Sequence, residues 1–278
     1  MRGRSGRAFF FGERPVWVGG KMSFFENCIA ARLRRGEVVH SAWSSLGVPV
    51  VCETLVKAGF SAVTVDMQHG MARGAEARDC ISAIAYAGGA PVLRVCVGDF
   101  QDASWMLDVG AQAIIAPMIN SAEEARQLVG FCKYPPVGAR SFGPFRAGGL
   151  HDIDMIEYQQ KANEVTLALA MIETPDAVEA LDDILAVDGL DGVFVGPADL
   201  SLTVSAGEEV APTSESALKM QADIARRVAV YGKVAGMYCV SEAHFQASLK
   251  AGYRFLVFGA DAQLLTDSAV KTASLTQN

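Results

Sequence analysis

Hydrophobic and polar residues alternate along the chain on two length scales from about residue 26 onward. Short, nearly continuous apolar runs are separated by longer segments in which the apolar residues recur with helical spacing. Continuous apolar runs are typical of parallel strands that are covered on both faces. These runs predict strands at 38–43, 62–66, 91–95, 112–116, 167–172, 192–195, 233–237 and 254–258.

The longer segments carry start and stop signals for helices. Ser121, with Glu124 three residues later, is typical of a capping box, and Thr174-Pro175 places proline in a first turn. Gly59 is suited to a C-terminal cap. The predicted helices are 48–58, 74–87, 122–133, 176–187, 214–231, 242–250 and 261–274.

Strands that alternate with helices, without a clear linker, predict a (β/α)₈ TIM barrel that occupies residues 24–278 as one domain. A doubly wound sheet is the competing fold, but no G-x-G-x-x-G motif follows the first strand. Residues 134–165, rich in Gly, Pro and Arg, interrupt the alternation after strand four. Because the chemistry of such barrels lies at the carboxyl ends of the strands, we expect this insertion there, where it would set specificity.

Residues 1–23 are treated apart from the barrel. They carry four arginines and one acid, a composition that is found in targeting presequences. A disordered leader, or an upstream start ahead of Met22, is the interpretation that we favour.

The composition limits the kinds of molecule that the protein is expected to bind. A formal net charge of -7 and a pI of about 5.2 give no overall basic footprint for nucleic acid. No apolar run approaches the ~20 residues that span a bilayer. The six cysteines form no CxxC pair and suggest buried thiols in a reducing compartment. We therefore expect a cytoplasmic protein with a small-molecule substrate and neither a nucleic-acid nor a membrane partner.

Polar residues of catalytic types follow several predicted strands. Asp66 and His69 follow strand two, Arg94 lies in strand three, Glu173 follows strand five and Asp199 follows strand six. The carboxyl ends of barrel strands converge on one mouth, so these side chains are predicted to share a site.

Glu173 and Asp199 form a pair of carboxylates on adjacent strands. Oxygen ligands of this kind suit Mg²⁺ or Mn²⁺. Three alternatives remain open from spacing alone: a glycosidase-type acid pair, an N-cap role for Asp199, and a first-turn dipole role for Glu173.

The charged residues around this pair are open to two interpretations each. Asp66 could orient the His69 imidazole for acid or base catalysis, although most lone histidines are structural. Arg94, inside an apolar strand, requires an anion, which is either a fixed carboxylate or a substrate oxygen. Arg140 and Arg146 in the insertion either hold a substrate carboxylate or are solvent-exposed loop charges.

Six blocks of sequence occur together in a fixed order, and they resemble the HpcH/HpaI aldolase family over residues ~26 to 275. These are metal-dependent class II pyruvate aldolases of the phosphoenolpyruvate/pyruvate barrel superfamily. The blocks are VTVDMQHG, PVLRV, MLDVGAQAIIAPMINSAEEA, KYPPVGARSFGP, MIETPDAVE and GLDGVFVGPADLS.

The resemblance implies a role for each matching position. Glu173 and Asp199 would bind a divalent ion, most often Mg²⁺, with Mn²⁺ or Co²⁺ as alternatives. Arg94 would hold the pyruvate oxygen and stabilise its enolate. His69, paired with Asp66, would act as acid and base through metal-bound water. The substrate pocket would be lined by Trp43, Gly196, Pro197 and Ala198. The family also implies a homohexamer in which a C-terminal helix is exchanged between subunits.

The chain departs from the family pattern at two positions. Gln68 stands where many members carry glutamate, which removes a negative charge near the expected ion and is expected to shift metal affinity. Met171 stands where glutamine is frequent. Gln68 is retained as a candidate substrate-binding residue.

These observations together predict an aldolase that cleaves or forms a C–C bond to pyruvate in 4-hydroxy-2-oxo acids, dicarboxylates included. A related lyase or decarboxylase acting on another 2-oxo acid is the first alternative. A non-catalytic binding protein on a degenerate barrel is the second.

Overall fold

The apolar runs form the strands of a closed parallel barrel. A computed structural model describes residues 23–276, in which the strands pair in the order β1 to β8 and β8 closes onto β1. The predicted (β/α)₈ barrel is therefore confirmed, while the predicted leader lies outside the described residues except for Ser23. The strands are β1 Val39–Ser44, β2 Ala62–Asp66, β3 Ala90–Arg94, β4 Ala113–Ala116, β5 Leu167–Ile172, β6 Gly192–Val195, β7 Val234–Tyr238 and β8 Phe255–Ala260.

Helices surround the barrel and cover it at the amino ends of the strands. They are α1 Phe24–Asn27, α2 Ile29–Arg34, α3 Pro49–Ala58, α4 Gly74–Tyr86, α5 Phe100–Asp108, α6 Ala122–Cys132, α7 Phe145–Gly149, α8 Met155–Val165, α9 Pro175–Glu179, α10 Leu181–Leu185, α11 Pro197–Val204, α12 Glu215–Val230, α13 Glu242–Ala251 and α14 Asp261–Ala273, followed by a short 3₁₀ turn at Ser274–Thr276. None of these helices is long and apolar enough to cross a membrane.

Strand β5 shows why the apolar runs are continuous. All six of its residues are buried, because successive side chains point alternately into the barrel and toward the helices. Leu169 and Met171 belong to the inner cluster, whereas Ala170 and Ile172 pack in the outer layer. This two-residue period continues beyond the strand and directs Glu173 inward.

The capping signals in the sequence act as predicted. The hydroxyl of Ser121 accepts the Glu124 N–H at 3.2 Å at the start of α6. Thr174 caps α9 by accepting the Ala177 N–H at 3.1 Å. Gly59 follows α3 with a φ of 121°, which favours glycine.

The predicted helices are incomplete, and the predicted place of the insertion was wrong. The helices that were not predicted are α1, α2, α5, α7, α8 and α11, and the helix predicted at 176–187 is broken into α9 and α10. Residues 134–165 contain α7 and α8 and connect the end of α6 to the start of β5. Because α6 runs back from the carboxyl end of β4, this insertion lies at the amino ends of the strands, opposite the expected catalytic face.

The last helix, α14, leaves the barrel with little cover. Asp261 is its one buried residue among those described, whereas Leu265 and Val270 are 62% and 64% exposed. The predicted exchange of this helix between subunits stays a prediction.

Candidate active site

The two-residue period of the strands brings five large side chains into the barrel at its carboxyl end. Trp43 on β1, Asp66 on β2, Arg94 on β3 and Tyr238 on β7 each lie an even number of residues from an inward-facing core residue. Glu173, directly after β5, follows the same rule. The site is therefore built on strand ends, where the barrel hydrogen bonds hold the backbone.

Asp66 and Arg94 form a buried bidentate ion pair. In the β2–β3 register Asp66 lies beside Arg94. Arg94 Nε donates to Asp66 Oδ1 at 2.8 Å and Nη2 donates to Oδ2 at 2.7 Å. Burial raises the pKa of Asp66, but the hydrogen bonds and charge of Arg94 outweigh it and hold this pKa below its usual value. The anion that Arg94 required is thus a fixed carboxylate.

Arg94 retains N–H donors that Asp66 does not use. Its Nη1 donates to none of the described residues, and the guanidinium lies 4.7 Å from the centre of the Trp43 ring. Trp43 packs in turn against Phe194, with ring centres 6.3 Å apart, and edge-to-face against Tyr238 at 5.3 Å. The cation and three aromatic rings form one wall of the site.

Glu173 and Asp199 both present unbonded carboxylate oxygens. Glu173 is buried, and its Oε1 accepts the Met118 N–H at 2.8 Å, whereas Oε2 accepts no hydrogen bond from a described residue. Burial, reinforced by the charge of Asp199, raises the pKa of Glu173 to about 7, although the Met118 N–H and Arg94 oppose the shift. The carboxylate of Asp199 is exposed and likewise accepts no hydrogen bond within residues 23–276.

The start of α11 brings the two carboxylates together. Gly196 is the N-cap residue and Pro197 the first helical residue, with Asp199 in the first turn. A Cβ on Gly196 would lie 2.5 Å from Glu173 Oε2, so glycine allows the carboxylate to rest against the backbone. The N-cap role considered for Asp199 is wrong, and so is the first-turn role for Glu173, which precedes the Thr174 cap of α9.

A cavity of about 240 Å³ opens at this end of the barrel. Its size suits a small organic acid rather than a large cofactor. Its lining contains polar side chains at or just after the ends of β1, β2 and β3, the first turn of α11, and an aromatic wall. The lining residues are Trp43, Ser45, His69, Arg94, Met171, Phe194, Gly196, Pro197, Ala198, Asp199 and Tyr238.

His69 lines this cavity without the partner that was expected for it. The Asp66 carboxylate accepts the backbone N–H groups of Gln68 at 2.9 Å and His69 at 3.3 Å. The imidazole itself has no hydrogen bond to a described residue, so the predicted pairing of the ring with Asp66 is wrong. Gly70 makes the tight turn possible, since a Cβ there would lie 2.2 Å from the Asp66 carbonyl oxygen.

Gln68 does not line the cavity. Its side chain is half-buried, and its Oε1 is buried without a hydrogen-bond partner among the described residues. Its role in substrate binding stays a prediction.

Arg140 and Arg146 lie away from the cavity. The Arg140 side chain is fully buried, pairs with Asp108 at the end of α5, and lies 4.5 Å from the centre of the Tyr134 ring. Arg146 donates to Ser82 on α4. The prediction that Arg140 binds substrate is therefore wrong, because helix direction places its segment at the opposite end of the barrel.

Three contributors to the site were not recognised in the sequence. Tyr238 is the last residue of β7, one position beyond the predicted strand, and the alternation of that strand could have revealed it. Phe194 lies inside β6, and its sequence context is typical of a residue of the hydrophobic core. Asp261 accepts the Ser44 hydroxyl and the Ser45 N–H, each at 2.9 Å, and thereby fixes the β1–α3 loop at the cavity mouth.

The side chains of catalytic types lie at the carboxyl ends of the barrel strands, which is where (β/α)₈ enzymes have their active sites. A family model described as HpcH/HpaI aldolase/citrate lyase matches residues 41–268. A hydroxypyruvate/pyruvate aldolase of Roseobacter denitrificans is 35% identical over 89% of this chain and 96% of its own length. A 2-keto-3-deoxy-L-rhamnonate aldolase of Escherichia coli is 32% identical over 88% of this chain and 91% of its own length.

A solved structure gives the same result. The HpcH/HpaI aldolase from Desulfitobacterium hafniense superposes with a TM-score of 0.80 and 27% identity, over 89% of this chain and 96% of the other. The chain belongs to the HpcH/HpaI aldolase/citrate lyase family. It is accordingly a carbon–carbon lyase of the aldolase type.

Proposed function

We propose that the protein is a divalent-metal-dependent pyruvate aldolase that acts on 4-hydroxy-2-oxo acids. The observation that carries the proposal is the pair of unbonded carboxylates, Glu173 and Asp199, beside the cavity that Arg94 also lines. The names of the relatives support it, since both are aldolases of 2-oxo acids.

The donor set fits a hard cation. Within residues 23–276 no group of three or more His, Cys, Asp or Glu side chains could hold a metal, so two carboxylates are the protein's contribution. Mg²⁺ is commonly held in this way, with the remaining positions taken by water or substrate oxygens. When bound by Glu173 and Asp199, Mg²⁺ or a similar ion such as Mn²⁺ or Co²⁺ would supply Lewis-acid polarisation of the 2-oxo group.

The first turn of α11 is suited to the substrate carboxylate. Pro197 has no N–H, and the N–H groups of Ala198 and Asp199 have no partner inside the helix, as in any first turn. Backbone N–H groups and the positive end of the helix dipole favour an anion. We place the C1 carboxylate of the substrate against this turn.

Arg94 would stabilise the negative charge that forms during cleavage. When the C3–C4 bond breaks, its electron pair becomes an enolate whose charge resides largely on the C2 oxygen. The free Nη1 of Arg94 can donate to that oxygen, and Asp66 holds the guanidinium in a fixed orientation before reaction. Transfer to C3 of the proton that was removed from the C4 hydroxyl then yields pyruvate and returns the base to its starting state.

His69 is the proposed base for the C4 hydroxyl. It lines the cavity, and its imidazole makes no hydrogen bond to a described residue, so a ring nitrogen is available to accept a proton. Loss of the hydroxyl proton to His69 lets C4 leave as an aldehyde, and the same proton returns in the aldol direction.

An assay of pyruvate release tests the proposal. A panel of 4-hydroxy-2-oxo acids is given to the wild type and to Glu173→Ala, with Mg²⁺, with Mn²⁺ and with chelator. We expect turnover that needs the metal and falls at least about 100-fold in Glu173→Ala. Glu179→Ala, at an exposed position on α9, is the matched control and should retain full activity.

Two results would contradict the proposal. Turnover that persists in chelator, or full activity in Glu173→Ala, would exclude the metal mechanism. An absence of cleavage across the panel would favour a lyase or decarboxylase of another 2-oxo acid, or a binding protein.

A further inference from the structure

The aromatic half of the cavity is formed by Trp43 on β1 and Tyr238 on β7, whose rings pack edge-to-face. The Arg94 guanidinium borders this half, 4.7 Å from the centre of the Trp43 ring, and β7 lies diametrically opposite β3 in the closed barrel. A 2-oxo acid whose carboxylate lies against the first turn of α11 and whose carbonyl lies against Arg94 can therefore extend its far end toward Tyr238.

Charge in the cavity disfavours a second carboxylate on the substrate. Among the described lining residues Arg94 is the one Lys or Arg, and Asp66 already neutralises it. Arg140, the other candidate cation, is buried at the opposite end of the barrel. With a divalent ion bound, the charges of Asp66, Glu173, Asp199, Arg94 and the ion cancel, and the C1 carboxylate adds one negative charge. A second carboxylate would find no unpaired cation in the aromatic half.

Tyr238 brings to the aromatic wall a hydroxyl that is suited to bind an uncharged hydroxyl group of the substrate. Its ring is held edge-to-face on Trp43, and its hydroxyl makes no hydrogen bond with a described residue. Burial raises the pKa of Tyr238, with Arg94 lowering and Asp66 raising it, so the phenol keeps its proton at neutral pH. A protonated phenol both donates and accepts a hydrogen bond.

We propose that Tyr238 determines specificity by hydrogen bonding to a hydroxyl group on the aldehyde portion of the substrate. The preferred substrates are then 4-hydroxy-2-oxo acids with an uncharged, hydroxylated tail, and dicarboxylates are poor substrates. This inference rests on the proposed function and names its substrate class.

A matched set of three acids tests the inference. 4-Hydroxy-2-oxopentanoate, 4,5-dihydroxy-2-oxopentanoate and 4-hydroxy-2-oxoglutarate differ at C5, which is a methyl, a hydroxymethyl or a carboxylate group. For the wild type we expect kcat/KM to be about tenfold higher for the hydroxymethyl acid than for the methyl acid, as one hydrogen bond allows. The carboxylate acid should fall below the methyl acid.

Tyr238→Phe isolates the hydroxyl, because the ring remains to pack on Trp43. In this variant the ratio of kcat/KM for the hydroxymethyl acid to that for the methyl acid should fall to about one. Tyr86→Phe, at a residue that is 71% exposed on α4, is the control and should keep the wild-type ratio.

Each outcome decides the question. An unchanged ratio in Tyr238→Phe, an equal loss for all three acids, or a preference of the wild type for the dicarboxylate would overturn the inference. If the wild type cleaves none of the acids, the proposed function fails separately. The Kd values of the same acids, measured by calorimetry without turnover, then show the predicted ratio and its loss in Tyr238→Phe, or refute it.

Discussion

At the scale of single residues, the Asp66 carboxylate holds several neighbouring groups in place. It pairs with Arg94 through both oxygens and also accepts the backbone N–H groups of Gln68 and His69. It therefore fixes both the guanidinium and the turn that carries the imidazole, without touching the imidazole ring. His69 is left free to meet a substrate proton.

Removal of the Asp66 charge should destabilise the protein. Asp66→Asn leaves the buried Arg94 cation without its anion, and we expect the free energy of unfolding to fall by about 3 kcal/mol. Urea titration followed by circular dichroism measures this loss. Asp79→Asn breaks an ion pair with Arg78 whose side chains are 53% and 42% exposed, and should change little. Similar losses in both variants would contradict the account.

A methyl group at Gly196 should disturb the carboxylate pair. In Gly196→Ala the new Cβ would displace Glu173 Oε2, which lies 2.5 Å from its position. We expect the Kd for Mn²⁺ to rise at least about tenfold, as measured by calorimetry, because displaced ligand geometry weakens a metal site. Gly130→Ala meets no atom within 4 Å and should leave this Kd unchanged. Equal Kd values for Mn²⁺ in the two variants would show that Glu173 is not a ligand of the metal.

At the scale of elements, helix direction decides where an insertion can act. Residues 134–165 have the Gly, Pro and Arg content of a functional loop, but they follow α6 rather than β4. A barrel helix returns the chain to the amino ends of the strands, so the segment packs there. We therefore expect specificity to be set by strand ends such as Tyr238 and by the loop that Asp261 anchors.

The exposed apolar side chains of helix α14 predict that the protein is an oligomer. Its apolar side chains Leu265 and Val270 are exposed, which is unfavourable for an isolated chain and typical of an interface. We expect the wild type to have six times the 29.5 kDa mass of one chain in light scattering after size exclusion. Leu265→Asp should dissociate this assembly, whereas Thr266→Asp on the same exposed helix should not. A monomeric wild type would contradict the predicted hexamer.

At the scale of the whole molecule, a half-buried histidine makes the folding stability depend on pH. His151 stacks on Phe24 at 3.9 Å between ring centres, and burial lowers its pKa to about 4, with Asp152 opposing the shift. Above pH ~6.5 both the folded and the unfolded state hold it neutral. As the pH falls below that value the unfolded state binds a proton first, so stability decreases until the folded state also protonates near pH 4.

As the pH is lowered from 6.5 to about 4, the melting temperature of the wild type should therefore decrease relative to that of His151→Asn, because the opposite effect of Glu173, whose pKa is raised to about 7, is common to both proteins. Differential scanning calorimetry across this range measures both curves. The variant should keep some dependence, because burial also lowers the pKa of His244. Parallel curves for the wild type and the variant would show that His151 does not contribute.

Much of the fold could be read from local patterns. Hydrophobic periodicity located all eight strands to within two residues, and capping residues such as Ser121 and Thr174 located helix starts. Helix α5 was not recognised, although Asp99 caps its start by accepting the Asp102 N–H at 3.2 Å and Gly110 follows its end. The break between α9 and α10 leaves no local signal.

The chain's own pattern was sufficient to place Asp66, Arg94, Glu173 and Asp199 at one end of a barrel, because a period of two residues sets the face that each strand end presents. Which side chains pair with each other could be known only from the folded structure. Strand register sets Asp66 beside Arg94 rather than beside the His69 ring, and helix direction carries Arg140 to the far end. Periodicity is a local property, whereas register and direction depend on contacts between segments that are distant in sequence.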